Sequence, residues 1–305
     1  MSHTVEHVSP ADEHVAELTA FQPRNNHFIG IDSDGCVFDA MEIKHKECFI
    51  PATIKCWRLQ GVSSLVRETA EFVNLYSDGR GLNRWLALVR VFDLLAARPE
   101  VVQRGVRVPA GTALRRFVQS GFPLSGTGLR QYAALHPDPE LDTAWEWTGE
   151  VDERIADMVH DVPPFGNVRE SLATASADAD LMVVSATPLD ALAREWSEHD
   201  LARYMTLIAG QEQGTKARHL ELAAKGKYAD NHILLIGDAP ADRDTAAAAG
   251  VLFYPINPGG ERESWRRFRD EALERFLDGT YAGSYQDALV AEFAALLPVI
   301  PPWQD

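Results

Sequence analysis

The chain has 305 residues, 46% apolar and 24% charged, which suits a soluble globular protein of one large or two modest domains and excludes a disordered tail or a fibre. A formal charge of −16 opposes nucleic acid and anionic membrane as partners, because either would repel the protein at long range. Residues 41–165 carry 15 Lys/Arg against 16 Asp/Glu while the remainder carries 14 against 29, so the middle of the chain is the part suited to a small anionic ligand.

In chain order, residues 9–20 read as a short helix with Ser9 as N-cap and Pro10 in the first turn. The N-terminus lacks the apolar core of a signal peptide and no stretch reaches the ~20 apolar residues of a membrane span, so a cytoplasmic location is expected. The first strand is "HFIGI" at 27–31, and "DSDG" follows it at once. Helical spacing of apolar residues then marks 41–60, 62–76, 82–97, 110–120 and 150–161, punctuated at "SDGRG", "SGFPLSGTG" and "HPDPE". From 163 the chain returns through a helix at 166–178 to the strands "DLMVVSA" (180–186), "YMTLIAG" (204–210), "NHILLIG" (231–237) and "VLFYPI" (251–256). Helices are predicted between them at 188–200, 214–226 and 241–249, and two amphipathic helices with a proline-rich tail follow.

Near-continuous apolar strands alternating with helices predict a Rossmann-like, doubly wound parallel α/β sheet. The expected organisation is an N-terminal extension (1–25), a core (26–40 and 163–256), an inserted helical domain (41–162) and a C-terminal helical extension packing on the core (257–305). Cys36, Cys48 and Cys56 form no C-x-x-C pair and have no His at zinc-ligand spacing, so reduced thiols are expected.

Ligands of such sheets bind at the carboxyl ends of the strands. There the sequence places Asp32 and Asp34, then Ser185, Ala186 and Thr187, then Lys216, then Asp238 and Asp242. Two carboxylates at one strand tip repel and call for a cation or a reaction. A carboxylate such as Asp32 can attack phosphorus if a cation suppresses its repulsion from the phosphate dianion. Mg²⁺ prefers oxygen ligands, and Asp32 with Asp238 would serve. Asp34 can protonate a leaving oxygen and then take a proton from water, while Ser185 and the Ala186 N–H can donate to phosphoryl oxygens and Lys216 can supply charge. Gly35 permits a tight turn after Asp34. An EF-hand calcium loop is disfavoured, since its required Gly and Glu positions hold Val37 and Ile43.

These stretches, "DSDGCVFD", "VVSAT", Lys216 and "GDAPADRDTAAAAG", resemble in order the four motifs of the haloacid dehalogenase superfamily of phosphohydrolases. The resemblance implies an Mg²⁺-dependent phosphatase of small phosphate monoesters, with Asp32 as the nucleophile that becomes an aspartyl-phosphate. Asp34 is implied as general acid/base and metal ligand through its carbonyl, Asp238 as a metal carboxylate, and Asp242 as a nearby acid orienting metal waters or Lys216. The helical insertion lies where that family places its substrate-selecting cap; Arg80, Asn83 and Arg84 are its candidate substrate contacts. Phosphoryl transfer between two positions of a sugar and a catalytically silent binding protein stand as alternatives. Thr187 reads as the cap of the helix opening at Pro188, Asp39 as a turn residue, and the cap tryptophans as packing.

Overall fold

The computed structural model describes residues 10–304, so the proposed cap residue Ser9 lies outside it; the helix itself runs Pro10–Ala20. Five strands, β1 (His27–Ile31), β2 (Ala179–Val184), β3 (Leu207–Ala209), β4 (Ile233–Gly237) and β5 (Leu252–Pro255), pair in parallel in the order β3-β2-β1-β4-β5. All of β2 and β4 and nearly all of β1 is buried, which is why these strands read as unbroken apolar runs. The edge strand β3 is shorter than its apolar run: Ala202–Tyr204 forms a 3₁₀ turn and pairing starts only at Leu207. An edge strand with one neighbour has half the ladder to hold it extended.

The chain runs from β1 outward through β2 to β3, then returns to the other side of β1 for β4 and β5. The order therefore reverses beside β1, and the carboxyl ends of β1, β2 and β4 flank the crevice where such sheets take ligands. Pro10–Ala20 packs on Lys216–Ala223, which packs on Pro240–Ala249, while Val168–Ala175 packs on the helical run from Glu261. The two sets are the helix layers of a doubly wound sheet.

By packing, residues 10–39 and 161–295 form one unit, and 40–160 with 296–304 form another. The second unit is helical. Its core gathers Trp85, Trp147, Phe92, Phe117 and Leu114, with Trp85 and Trp147 rings 5.5 Å apart and Trp147 Nε1 donating to Thr53 Oγ1 at 3.0 Å. Two helices are longer than, or additional to, the sequence expectation. Gly126–Leu135 starts inside the glycine cluster, capped by Ser125 on Gly128 N, and Pro139–Met158 starts inside "HPDPE", with Asp138 as N-cap and Pro139 in the first turn. Proline and a short polar cap begin helices as readily as they end them.

The tail also departs from expectation. Ser284–Ala295 packs on β5, but residues 296–304 belong to the helical unit and not to the sheet. The Pro298 carbonyl accepts from Asp78 N at 3.3 Å, and Trp303 stands edge-on to Phe72 with the Arg98 guanidinium 4.3 Å above its ring. A tryptophan beside two prolines and few charges needs an apolar seat, and the helical unit provides it.

Candidate active site

β1 carries the chain to Asp32, whose N–H donates to the Ile236 carbonyl of β4 at 3.0 Å and whose Oδ1 accepts from Ser33 N at 2.8 Å. The turn beyond is tight. The Ser33 carbonyl accepts from Val37 N at 2.8 Å, Gly35 N donates to Phe38 O at 2.8 Å, and Gly35 has φ +76°, the left-handed region that favours glycine. Ser33 is fully buried below, where its Oγ accepts from Trp196 Nε1 at 2.9 Å and donates to Glu195 Oε2 at 3.2 Å. The support that Trp196 and Glu195 give to this turn was not legible in the sequence, because it spans more than 160 residues.

Lys216 opens its helix behind the N-cap Thr215 and reaches two carboxylates, Asp32 Oδ2 at 2.6 Å and Asp242 Oδ1 at 2.5 Å. Asp242 is wholly buried in the first turn of Pro240–Ala249, and its Oδ2 accepts from Ala239 N at 3.2 Å. Gly237, the last residue of β4, makes this possible: a Cβ there would stand 2.4 Å from Asp242 Oδ2. Asp238 follows, also buried, and one oxygen from each of Asp32, Asp238 and Asp242 lies within 4.8 Å of the others.

Burial holds the Asp32 carboxyl up to about 6, against the pull of Lys216 and with the push of Asp242. Asp242 is raised as well, first by burial, with Lys216 opposing and Asp238 adding to it. Burial pulls the Lys216 ammonium down, but the Asp242 and Asp32 carboxylates outweigh it and hold the group charged. Three buried carboxylates and one ammonium leave two formal negative charges. An all-oxygen donor set of that charge fits a hard divalent cation, so these residues are able to hold a metal.

Ser185 ends the second strand region, buried, with its N–H on the Ala209 carbonyl at 3.1 Å and its Oγ accepting from Thr187 N at 3.2 Å; Ala186 between them is exposed. Thr187 does not cap the helix Leu189–Glu198, as the sequence had implied; its hydroxyl donates to Asp34 Oδ2 at 2.7 Å. Cys36, within the turn that carries Asp34, is buried; the three cysteines are free thiols.

All three cap candidates make contacts within the helical unit. Arg80 is buried and donates to the Leu75 carbonyl at 3.1 Å, closing the turn after Ser63–Leu75. Asn83 caps Arg84–Ala96 by accepting from Trp85 N at 3.1 Å, and its Nδ2 donates to Leu124 O at 2.9 Å. Arg84 pairs with Asp152 at 3.2 Å and lies over the Phe49 ring. Polar loop residues followed by a helix signal capping and loop closure as strongly as recognition.

No protein-family model matches the sequence, and a search of curated proteins finds no match. Solved structures do match. A protein of Lactobacillus delbrueckii subsp. bulgaricus, provisionally named a phosphoglycolate phosphatase, aligns over 85% of this chain and 100% of its own at 13% identity and a TM-score of 0.50. A haloacid dehalogenase-like hydrolase of Streptococcus pneumoniae aligns over 80% and 91% at 15% identity with a TM-score of 0.40. A haloacid dehalogenase-superfamily hydrolase of Geobacter sulfurreducens aligns over 76% and 88% at 17% identity with a TM-score of 0.37. At these identities the likeness is one of fold, and the first comparison carries it. The chain has the α/β Rossmann-like fold that its alternating apolar strands and helices led us to expect, and it shares that fold with the Lactobacillus protein.

Proposed function

We propose that this chain is a Mg²⁺-dependent phosphohydrolase that cleaves a small phosphate monoester through an aspartyl-phosphate on Asp32. The supporting observation is the Asp32–Lys216–Asp242 chain of ion pairs with Asp238 beside it, at the point where the strand order reverses. Side chains of Asp32 and Asp238 and the carbonyl of Asp34 would hold the metal, with Asp242 orienting Lys216 and the metal's waters. Bound there, Mg²⁺ supplies the positive charge that lets an anionic nucleophile approach a phosphate dianion.

The residues divide the work. An Asp32 carboxylate oxygen attacks phosphorus, the bond to the ester oxygen breaks, and Asp34 gives its proton to that oxygen so that an alcohol leaves. Asp34, now ionised, takes a proton from water as the water oxygen attacks the phosphorus of the acyl phosphate. Phosphate departs and the Asp32 carboxylate returns. Ser185 and the Ala186 N–H donate to the phosphoryl oxygens throughout, and Lys216 offsets the charge on nucleophile and phosphate together. The second carboxylate at Asp34 favours an ester oxygen as leaving group, since that oxygen needs a proton.

Phosphate release from a panel of small phosphate esters, with and without Mg²⁺, tests the reading. Magnesium-dependent release is expected from wild type, and Asp32→Asn should lower it by on the order of 10³-fold or more, as removal of a covalent nucleophile does. Release that survives in Asp32→Asn, or its absence from wild type over the whole panel, would sink the proposal.

A further inference from the structure

We infer that Thr187 is a positioning residue for Asp34, holding in place the carboxyl group that carries protons to and from the reacting oxygens; the inference rests on the phosphohydrolase reading above. The threonine hydroxyl donates to Asp34 Oδ2 at 2.7 Å. The backbone that carries it is committed on both sides. Thr187 N donates to Ser185 Oγ at 3.2 Å, and the Thr187 carbonyl accepts from Gln211 N at 3.0 Å. Ser185 N in turn is held by the Ala209 carbonyl at 3.1 Å, so the segment is tied to the end of β3 at two points.

With its backbone pinned, Thr187 retains only the χ1 rotation, which is stiff in a β-branched residue. The helix that follows makes no claim on the hydroxyl. Its first turn is served from another segment, Leu189 N donating to Glu212 Oε2 at 2.9 Å. A hydroxyl placed on a rigid loop, released from capping and aimed at a carboxyl group on the facing strand tip fixes the plane of that group. Asp34 sits on a turn beside Gly35, where its side chain gains from such a brace. Ser185 and Thr187 thus divide one short loop, the first facing the phosphoryl oxygens and the second facing the proton carrier.

The consequence is specific to the leaving group. An alkyl phosphate needs its departing oxygen protonated, whereas p-nitrophenolate leaves as a stable anion, so misplacing Asp34 should slow transfer to Asp32 from the first far more than from the second, while the hydrolysis that follows is common to both. We would compare wild type, Thr187→Val and Thr187→Ser on p-nitrophenyl phosphate and on the fastest alkyl phosphate of the panel, with Asp32→Asn as the nucleophile control. Thr187→Val is expected to lower kcat/KM, which reads the step in which the ester oxygen leaves, on the alkyl ester about tenfold or more beyond its effect on the aryl ester, as part of the 10²–10⁴ that general acid catalysis supplies. Thr187→Ser should restore most of the loss. An equal loss of kcat/KM on both esters, an unaltered kcat/KM on the alkyl ester or no rescue by serine would overturn the inference and leave the phosphohydrolase reading standing. Absence of Asp32-dependent release from wild type would overturn both. If the valine variant does not fold, Thr187→Ala carries the same comparison.

Discussion

His219 stands one turn beyond Lys216 with no exposed surface. Burial pulls its imidazole down to about 4, the Gly210 backbone opposes, and the Lys216 charge adds to the fall. In the unfolded chain the ring titrates near 6.5, so as pH falls from 6.5 the unfolded state takes up the proton first. The contribution is fully present above pH 6.5, declines between 6.5 and about 4, and is gone below; at its limit it costs about 3 kcal/mol. Denaturant unfolding at pH 7 and pH 4.5 checks this. Wild type should lose more stability than His219→Leu over that interval, and parallel losses would show that the histidine takes up its proton in the folded state. The ring matters to the site because Lys216 and His219 share a helix: a charged imidazole there would stand near the ammonium that pairs Asp32 with Asp242.

At the scale of elements, β2 contains the one feature that an apolar-run reading passes over. Asp180 is buried within it, and Oδ2 accepts from Arg24 N at 2.8 Å, Asn25 N at 2.9 Å and the Tyr228 hydroxyl at 2.7 Å. This carboxylate fixes the chain just ahead of β1 and so supports the strand that delivers Asp32. Asp180→Ala would strand these three donors and the Asn25 Nδ2 that reaches Oδ1 at 3.4 Å, and should cost about 2–4 kcal/mol, with Tyr228→Phe costing about 1 kcal/mol. Chemical unfolding of the two variants decides it; a cost for Asp180→Ala below that of Tyr228→Phe would mean that the donors find other partners. The same contrast explains what was legible. Strands buried on both faces announce themselves as apolar runs, and Asp32, Asp34, Ser185 and Asp238 follow such runs closely enough to be placed by position alone, whereas Lys216 opens a helix beyond a 3₁₀ turn. Helices that begin at Gly126 and Pro139 were hidden because Gly and Pro read as stops when they stand beside a cap. Contacts made across the fold, Thr187 on Asp34 or Trp196 under Ser33, leave no local trace.

For the whole molecule, an inserted unit needs the chain to pass between units twice, yet here it passes at 39–40, 160–161 and again at 295–296. The third passage is short. Ser284–Ala295 ends in the sheet unit, and three residues later the Pro298 carbonyl is already bonded to Asp78 in the helical unit. The last segment is thus anchored within the helical unit. Its far end is Trp303, whose ring lies against Phe72 and under Arg98. Arg98 is itself buried and keeps Glu68 at 2.7 Å, so the indole completes the cover over a charged group and does not merely fill space. Trp303 is only half-buried, which puts the cost of Trp303→Ala at about 2 kcal/mol, below that of a fully buried aromatic. A chain of two units need not unfold in one step, so hydrogen exchange reports this better than a single midpoint. Faster exchange is expected in Ser63–Leu75 and Arg84–Ala96, which border the indole's seat, with β1, β2 and β4 unchanged. Uniform acceleration through both units, or none, would show that the tail is not a part of the helical unit's own stability.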